Sequence, residues 1–416
     1  MRNTRLVALL LCAAAVGSPA WAAQYEASST TQFLWYPDFL SGTASGTDRD
    51  QRDVAQYLRL DGAFGEKDAI RVHAYGRVVG QFMSSVESRP ELLDNVIGRL
   101  YYLNVDWRDA LPGHLDLRAG RTSINMSATA AIVDGADLRF RNLGLEGLGV
   151  ALAGGRRVWL DNRSEVGAAK ASVWGASLFY DTFWRTHAEV GYAREYGADA
   201  LAREILAADL STAPHQMVGL YGRVKYDMVS SRYAEALAGL TLSPVQALTL
   251  RAEYFESAPS FDKESFYRYF SVTRYGQASL AAEWQVLAML RLDGRYAREA
   301  FGGGETANLW GAGAALRPSD TWYLKASYEH RDGYAGRLGG LRFDGGYRLG
   351  PAMVMAGADY DDFRRDGARD GTAKRYWGSL SWDFNRNLGV LGRAELDQNF
   401  QFDKSYQGYL ALVAHL

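Results

Sequence analysis

Ile70-Arg71-Val72-His73-Ala74-Tyr75-Gly76-Arg77-Val78-Val79-Gly80-Gln81-Phe82-Met83 alternates in character with a period of two along its whole length. One face carries Ile70, Val72, Ala74, Gly76, Val78, Gly80 and Phe82, and the other Arg71, His73, Tyr75, Arg77, Val79, Gln81 and Met83. Side chains of a β-strand point alternately to its two faces, so this segment reads as a strand that is apolar on one side and wet on the other. Its length then separates two folds. Strands of soluble sheets are mostly about 5–6 residues long, whereas a tilted strand crossing hydrocarbon needs about 9–11.

The pattern recurs along the chain. Residues 184–192 set Trp184, Thr186, Ala188, Val190 and Tyr192 against Arg185, His187, Glu189 and Gly191. Residues 218–226 set Val218, Leu220, Val224 and Tyr226 against Tyr221, Arg223 and Lys225. Residues 290–296 set Leu290, Leu292 and Tyr296 against Arg291, Asp293 and Arg295, and 322–329 and 388–396 behave alike. Aromatic residues close many of the apolar rows, as they do where strands meet the two edges of a bilayer. The expected fold is all-β: a transmembrane antiparallel up-and-down β-barrel of about 20 strands, within 18–22.

The ends of the chain agree. Arg2 and Arg5 precede an apolar run at residues 6–16, and Ala20-Trp21-Ala22 follows. That order is a secretory signal, so 1–22 is expected to be removed and 23–416 to form one barrel in an outer membrane. Cys12, the single cysteine, lies inside the signal, which leaves no disulfide and no thiolate site in the remainder. At the other end Tyr406, Gly408, Leu410, Leu412, Ala414 and Leu416 form an apolar row that runs to the last residue.

Charge limits the partners. The formal net charge is -2, or -4 once Arg2 and Arg5 are gone, because the signal holds no acid. This near-balance argues against nucleic acid as a partner. Of 46 basic residues only 7 are Lys, leaving 39 Arg, a residue suited to fanning planar donors along a charged wall.

Connectors alternate between short and long. Short ones lie at residues 65–68, 109–113, 317–320, 349–351 and 385–387, and long ones at 40–51, 84–94, 257–271, 302–305 and 364–372. Barrels of this class have short periplasmic turns and longer extracellular loops. From Gln277 onward the alternation is regular. Between Thr122 and Val245, counts made from the two ends disagree by one strand. There, residues 201–210 read as a short helix with Leu201, Ile205, Leu206 and Leu210 on one side, and residues 122–137 read as an inward loop.

Leu117-Arg118-Ala119-Gly120-Arg121, followed by Asp134-Gly135, resembles the strand of Gram-negative porin-like barrels that leads into an inward loop. The resemblance implies an outer-membrane channel narrowed by its own chain.

The inward rows hold the candidate functional residues: Arg71, His73, Tyr75, Arg77, Arg118, Arg121, Arg185, His187, Glu189, Arg223, Lys225, Arg291, Asp293 and Arg295. Charged side chains lining a pore filter solutes by charge; the competing reading is cross-strand ion pairs that stiffen the wall. No GxSxG elbow or HExxH helix is present, and the histidines are scattered. The chain is therefore expected to be no enzyme and to need no metal or other cofactor. Two functions fit: a diffusion channel for small polar or anionic solutes, with lipid and solutes as its partners, or a barrel sheathing a periplasmic multihaem cytochrome.

Overall fold

The computed structural model describes residues 24–37, 50–65, 68–83, 96–158, 171–181, 183–197, 200–258, 274–364, 370–399 and 404–415. Residues 1–23, which include the expected signal segment, and much of the long connectors lie outside the described residues.

The strands are β1 (Gln24–Pro37), β2 (Asp50–Phe64), β3 (Ile70–Met83), β4 (Val96–Leu111), β5 (Leu115–Met126), β6 (Thr129–Phe140), β7 (Leu148–Arg157) and β8 (Ser172–Tyr180). They continue as β9 (His187–Tyr196), β10 (Leu201–His215), β11 (Val218–Asp227), β12 (Arg232–Val245), β13 (Leu248–Ser257), β14 (Tyr275–Leu287) and β15 (Leu290–Phe301). The last seven are β16 (Thr306–Leu316), β17 (Trp322–Gly333), β18 (Arg337–Leu349), β19 (Ala352–Arg364), β20 (Gly371–Asn385), β21 (Leu388–Gln398) and β22 (Ser405–His415). Each pairs antiparallel with the next, as β21 with β22, where Leu388 opposes Ala414 and Asp397 opposes Ser405. β22 returns to β1, with Ser28 opposite His415 and Trp35 opposite Gly408. The result is one closed sheet of 22 strands, an even number at the top of the expected range. Closure removes the sheet edges, which is what makes a sheet tenable inside lipid.

The two faces have opposite chemistry. Leu220, Leu292 and Leu324 are large, apolar and exposed on the outside, in rows with Tyr254, Tyr296, Trp310, Tyr328, Tyr360, Tyr376 and Tyr406. Trp107, Trp284, Tyr347 and Trp382 are exposed on the same face nearer the short-connector side. Their rings form the two interfacial belts of a membrane barrel. Val72 and Val78 belong to the outer row of β3 by the same alternation.

Two expectations need correction. Residues 201–210 are no helix but the first part of β10, paired with β9 from Leu201 opposite Tyr196 to Ser211 opposite His187. The misreading has a plain cause: Leu206 and Leu210, four apart, share a side in either a helix or a strand. Ile205 and Ala207 are buried on the inner face, while Leu206 is exposed on the outer. The inward piece at 122–137 is also no loop. It is a hairpin, paired throughout from Leu115 opposite Phe140 to Met126 opposite Thr129, turning at Ser127 and Ala128. These two changes remove the mismatch in strand count.

Candidate functional site: an inward hairpin over a charged lumen

The β5–β6 hairpin leaves the wall along a line of glycines. Gly120 of β5 opposes Gly135 of β6, which opposes Gly155 of β7. Gly120 has φ 121°, and a Cβ there would meet the Asn104 backbone at 2.9 Å. A Cβ on Gly155 would meet Gly135 Cα at 2.7 Å, so the three backbones approach closer than side chains allow. Above this row β5 no longer pairs with β4, whose uppermost contact is Leu103 opposite Arg121.

Beyond the bend, residues 122–133 lie across the inner faces of the following strands. Ile124, Met126 and Val133 pack on Ala151 and Ala153 of β7 and on Val173 and Phe179 of β8. Ala128 packs on Ala193 of β9 and on Ile205 and Ala207 of β10. These two buried apolar clusters lie inside the barrel, under the hairpin. The bed is built of small residues: a Cβ on Gly175 would meet Met126 Sδ at 3.0 Å, and one on Gly191 would collide with Ser127 Oγ.

Two buried carboxylates of β9 hold the tip. Ser127 donates to Glu189 from its backbone N–H at 2.9 Å and from its hydroxyl at 3.1 Å. Thr129 Oγ1 donates to Glu195 at 3.0 Å, and Arg157 Nη1 donates to the same carboxylate at 2.7 Å. Glu195 escaped the sequence reading, although it lies on the period-two row of His187 and Glu189.

Beside the hairpin is a cavity of about 830 Å³. Its walls carry the carboxylates Asp106, Asp109, Asp116, Asp137, Glu189 and Asp209 and the cations Arg108, Arg118, Arg139, Arg141, Arg223 and Lys225, with His187 beside them. Six of each sign balance. Most are paired across neighbouring strands. Arg118 binds Asp106 through two nitrogens, one at 3.1 Å; Arg223 binds Asp209 at 2.7 Å; Lys225 binds Glu235 at 3.1 Å. Asp209 was hidden from the sequence by the misread helix.

The other candidates fall in four groups. On β15, Arg291 lies 4.0 Å from Glu283 and Arg295 pairs with Glu329, while Asp293 shares their row. His73 sits between Asp61 at 2.5 Å and Asp106 at 3.7 Å, and His187 between Asp181 and Glu189, so the two histidines serve separate clusters. Tyr75 stacks on Tyr101 with centroids 4.9 Å apart, while Arg77 lies over the Tyr57 ring at 6.0 Å. Among the described residues Arg71, Arg77 and Arg139 have no ion pair; Arg139 instead covers the Phe179 ring at 4.5 Å.

Two candidates are misplaced by the sequence reading. Arg121 faces outward, because it is three residues from Arg118 and an odd offset changes the face of a strand. Its register partner Leu103 is exposed on the lipid side. There Arg121 grips Asp134 at 2.7 and 3.0 Å and donates to the Leu100 carbonyl at 2.9 Å, bridging the point where β5 parts from β4. Arg121→Leu is expected to lower barrel stability by about 1.5–3 kcal/mol in denaturant titration, the range for a hydrogen bond to a charged group. The same variant leaves ion selectivity unchanged, because the side chain is outside the lumen. Arg185 is not on a strand either. It ends a one-turn 3-10 helix, Phe183–Arg185, with φ 49°, and β9 begins only at His187.

No known protein family and no curated protein matches the sequence. Solved structures do match in shape. A BenF-like porin from Pseudomonas fluorescens aligns with a TM-score of 0.50 at 8% identity, over 95% of this chain and 98% of that one. The chain shares the closed β-barrel fold of that porin. Pseudomonas aeruginosa OccK3 aligns at TM-score 0.44 and 16% identity over 95% and 96% of the two chains. Pseudomonas aeruginosa OpdK with vanillate aligns at 0.48 and 11% over 95% and 98%. The closed sheet and the first of these likenesses establish the β-barrel fold.

Proposed function

We propose that the protein is a passive channel for small polar solutes, narrowed by its own β5–β6 hairpin. The observation that carries this reading is the hairpin seated inside the barrel against a polar, charge-lined cavity. A self-contained constriction suits a pore that works alone. The sheath reading gains no support, since the hairpin occupies lumen that an enclosed cytochrome would need. Balanced charge around the cavity favours polar over strictly anionic solutes. The cations left without an ion pair add a modest anion preference.

Purified protein in a planar bilayer tests the reading: steady single-channel currents support it, and their absence from correctly folded protein refutes it. Changing Arg71, Arg77 and Arg139 together to Glu is expected to move the reversal potential toward cation preference. The shift is larger in dilute salt, because screening acts over about 8 Å at physiological ionic strength. An unchanged potential would place these side chains off the ion path.

A further inference from the structure

The lipid-facing surface of β1 and β2 carries a polar cluster midway along the strands. Thr31 lies midway along β1, directly opposite Gln56 of β2 and Leu412 of β22. Its outer row is set by Phe33 and Leu412, both exposed large apolar residues. Thr31 Oγ1 donates to Gln56 Oε1 at 2.6 Å, and Gln56 Nε2 donates to Ser29 Oγ at 2.8 Å. Three polar side chains therefore share the outer surface with leucine and phenylalanine, in a layer where no water completes their hydrogen bonds.

The bonds within the cluster do not exhaust it. Gln56 takes the Thr31 proton and gives one of its own to Ser29. Among the described residues, that leaves the Ser29 hydroxyl proton unspent, and acceptor lone pairs free on Thr31 and Gln56. Donor and acceptor thus stand two residues apart on one strand face. A surface that presents both kinds of group is self-complementary across a two-fold axis: Ser29 of each copy meets the acceptors of the other. Polar side chains of this type join membrane segments, because hydrocarbon offers them no other partner.

We propose that the outer face of β1 and β2 is a contact surface for a second copy of this chain, closed by Ser29, Thr31 and Gln56 and sealed by the apolar rows beside them. The contact is formed along the membrane normal, so two barrels stand side by side with their lumens parallel. It rests on the membrane placement of the barrel and not on solute passage, and it is tested without measuring current.

Single-cysteine variants give a clean readout, because Cys12 is the only cysteine and lies in the signal segment. Thr31→Cys, oxidised in intact outer membranes, is expected to shift most of the protein to twice its mass on a non-reducing gel. Leu324→Cys, on another part of the outer wall, is expected to stay monomeric. Ala27→Cys, on the same row as Thr31, repeats the test with the polar cluster intact. Adding Gln56→Leu to Ala27→Cys is expected to lower the cross-linked fraction severalfold, while the heat-modifiable gel migration of a folded barrel is kept. Monomer from folded Thr31→Cys and Ala27→Cys proteins overturns the proposal. So does an adduct of any other mass, an equal yield from Leu324→Cys, or a yield that Gln56→Leu leaves unchanged.

Discussion

Removing residues 125–130 and closing β5 and β6 with a short turn is expected to raise single-channel conductance severalfold. Those residues form the tip that reaches β9 and β10, and the wall behind them is already complete: β7 pairs with β8, and β8 with β9, without help from the hairpin. Deletion therefore empties lumen without opening the barrel. A second route reaches the same end with the hairpin at full length. Gly191 lies directly beneath the Ser127 hydroxyl, and Gly191→Phe puts a ring where the tip sits. A third weakens the anchor. Glu189→Ala removes the acceptor of two Ser127 bonds, each a hydrogen bond to a charged group worth about 1.5–3 kcal/mol. The seated hairpin then exchanges with a detached one, and open-channel noise rises together with mean current. Planar-bilayer recording reads all three variants. Unchanged conductance after deletion would show that the constriction lies elsewhere.

Much of this fold could be read from the chain because a lipid-facing barrel writes its geometry into every strand. Period-two rows such as Ile70–Met83 and 290–296 fix which residues face inward, and the structure places Arg71, His73, Arg223, Lys225, Arg291 and Arg295 there. The reading failed where the wall stops being regular. Residues 122–126 alternate like any strand, yet they bury Thr122, Ile124 and Met126 inside the barrel because the sheet bends at Gly120, Gly135 and Gly155. Nothing local to one strand reveals that three glycines fall in register, since register is a property of the pairing. The tip itself, Ser127-Ala128-Thr129, carries no charge. Its charges are in fact supplied from β9, where Glu189 and Glu195 face Ser127 and Thr129. Arg121 went astray for a simpler reason, that it was grouped with Arg118 by proximity when parity sets them on opposite faces. The polar trio on β1 and β2 escaped notice because Ser29, Thr31 and Gln56 are unremarkable until the register brings them together.

Leu292→Arg is expected to destabilise the barrel by about 1–2 kcal/mol, between the midplane and interface costs of a lipid-facing arginine, while Ser327→Arg changes stability far less. Leu292 lies between Leu290 and Tyr296 on the outer row of β15, just inside the short-connector belt that its register partner Trp284 marks, and no carboxylate shares that face nearby. Its register neighbours there are Trp284 and Ala314, neither able to pair with a guanidinium. An arginine at 292 must extend toward the bilayer surface or draw water inward, and both work against insertion. Ser327 points the other way, opposite Gly313 of β16 and Arg342 of β18. That face is wet, and Asp293 lying over Gly313, with Glu329 two residues on, offsets the facing Arg342, so a new cation costs little. Leu220→Arg and Leu324→Arg repeat the test on β11 and β17, and the cost should fall as the site approaches either aromatic belt. Reversible unfolding in detergent or lipid measures the difference. Equal costs at 292 and 327 would mean that the two faces see the same medium, and the assignment of lumen and lipid on which the channel reading depends would fail with it.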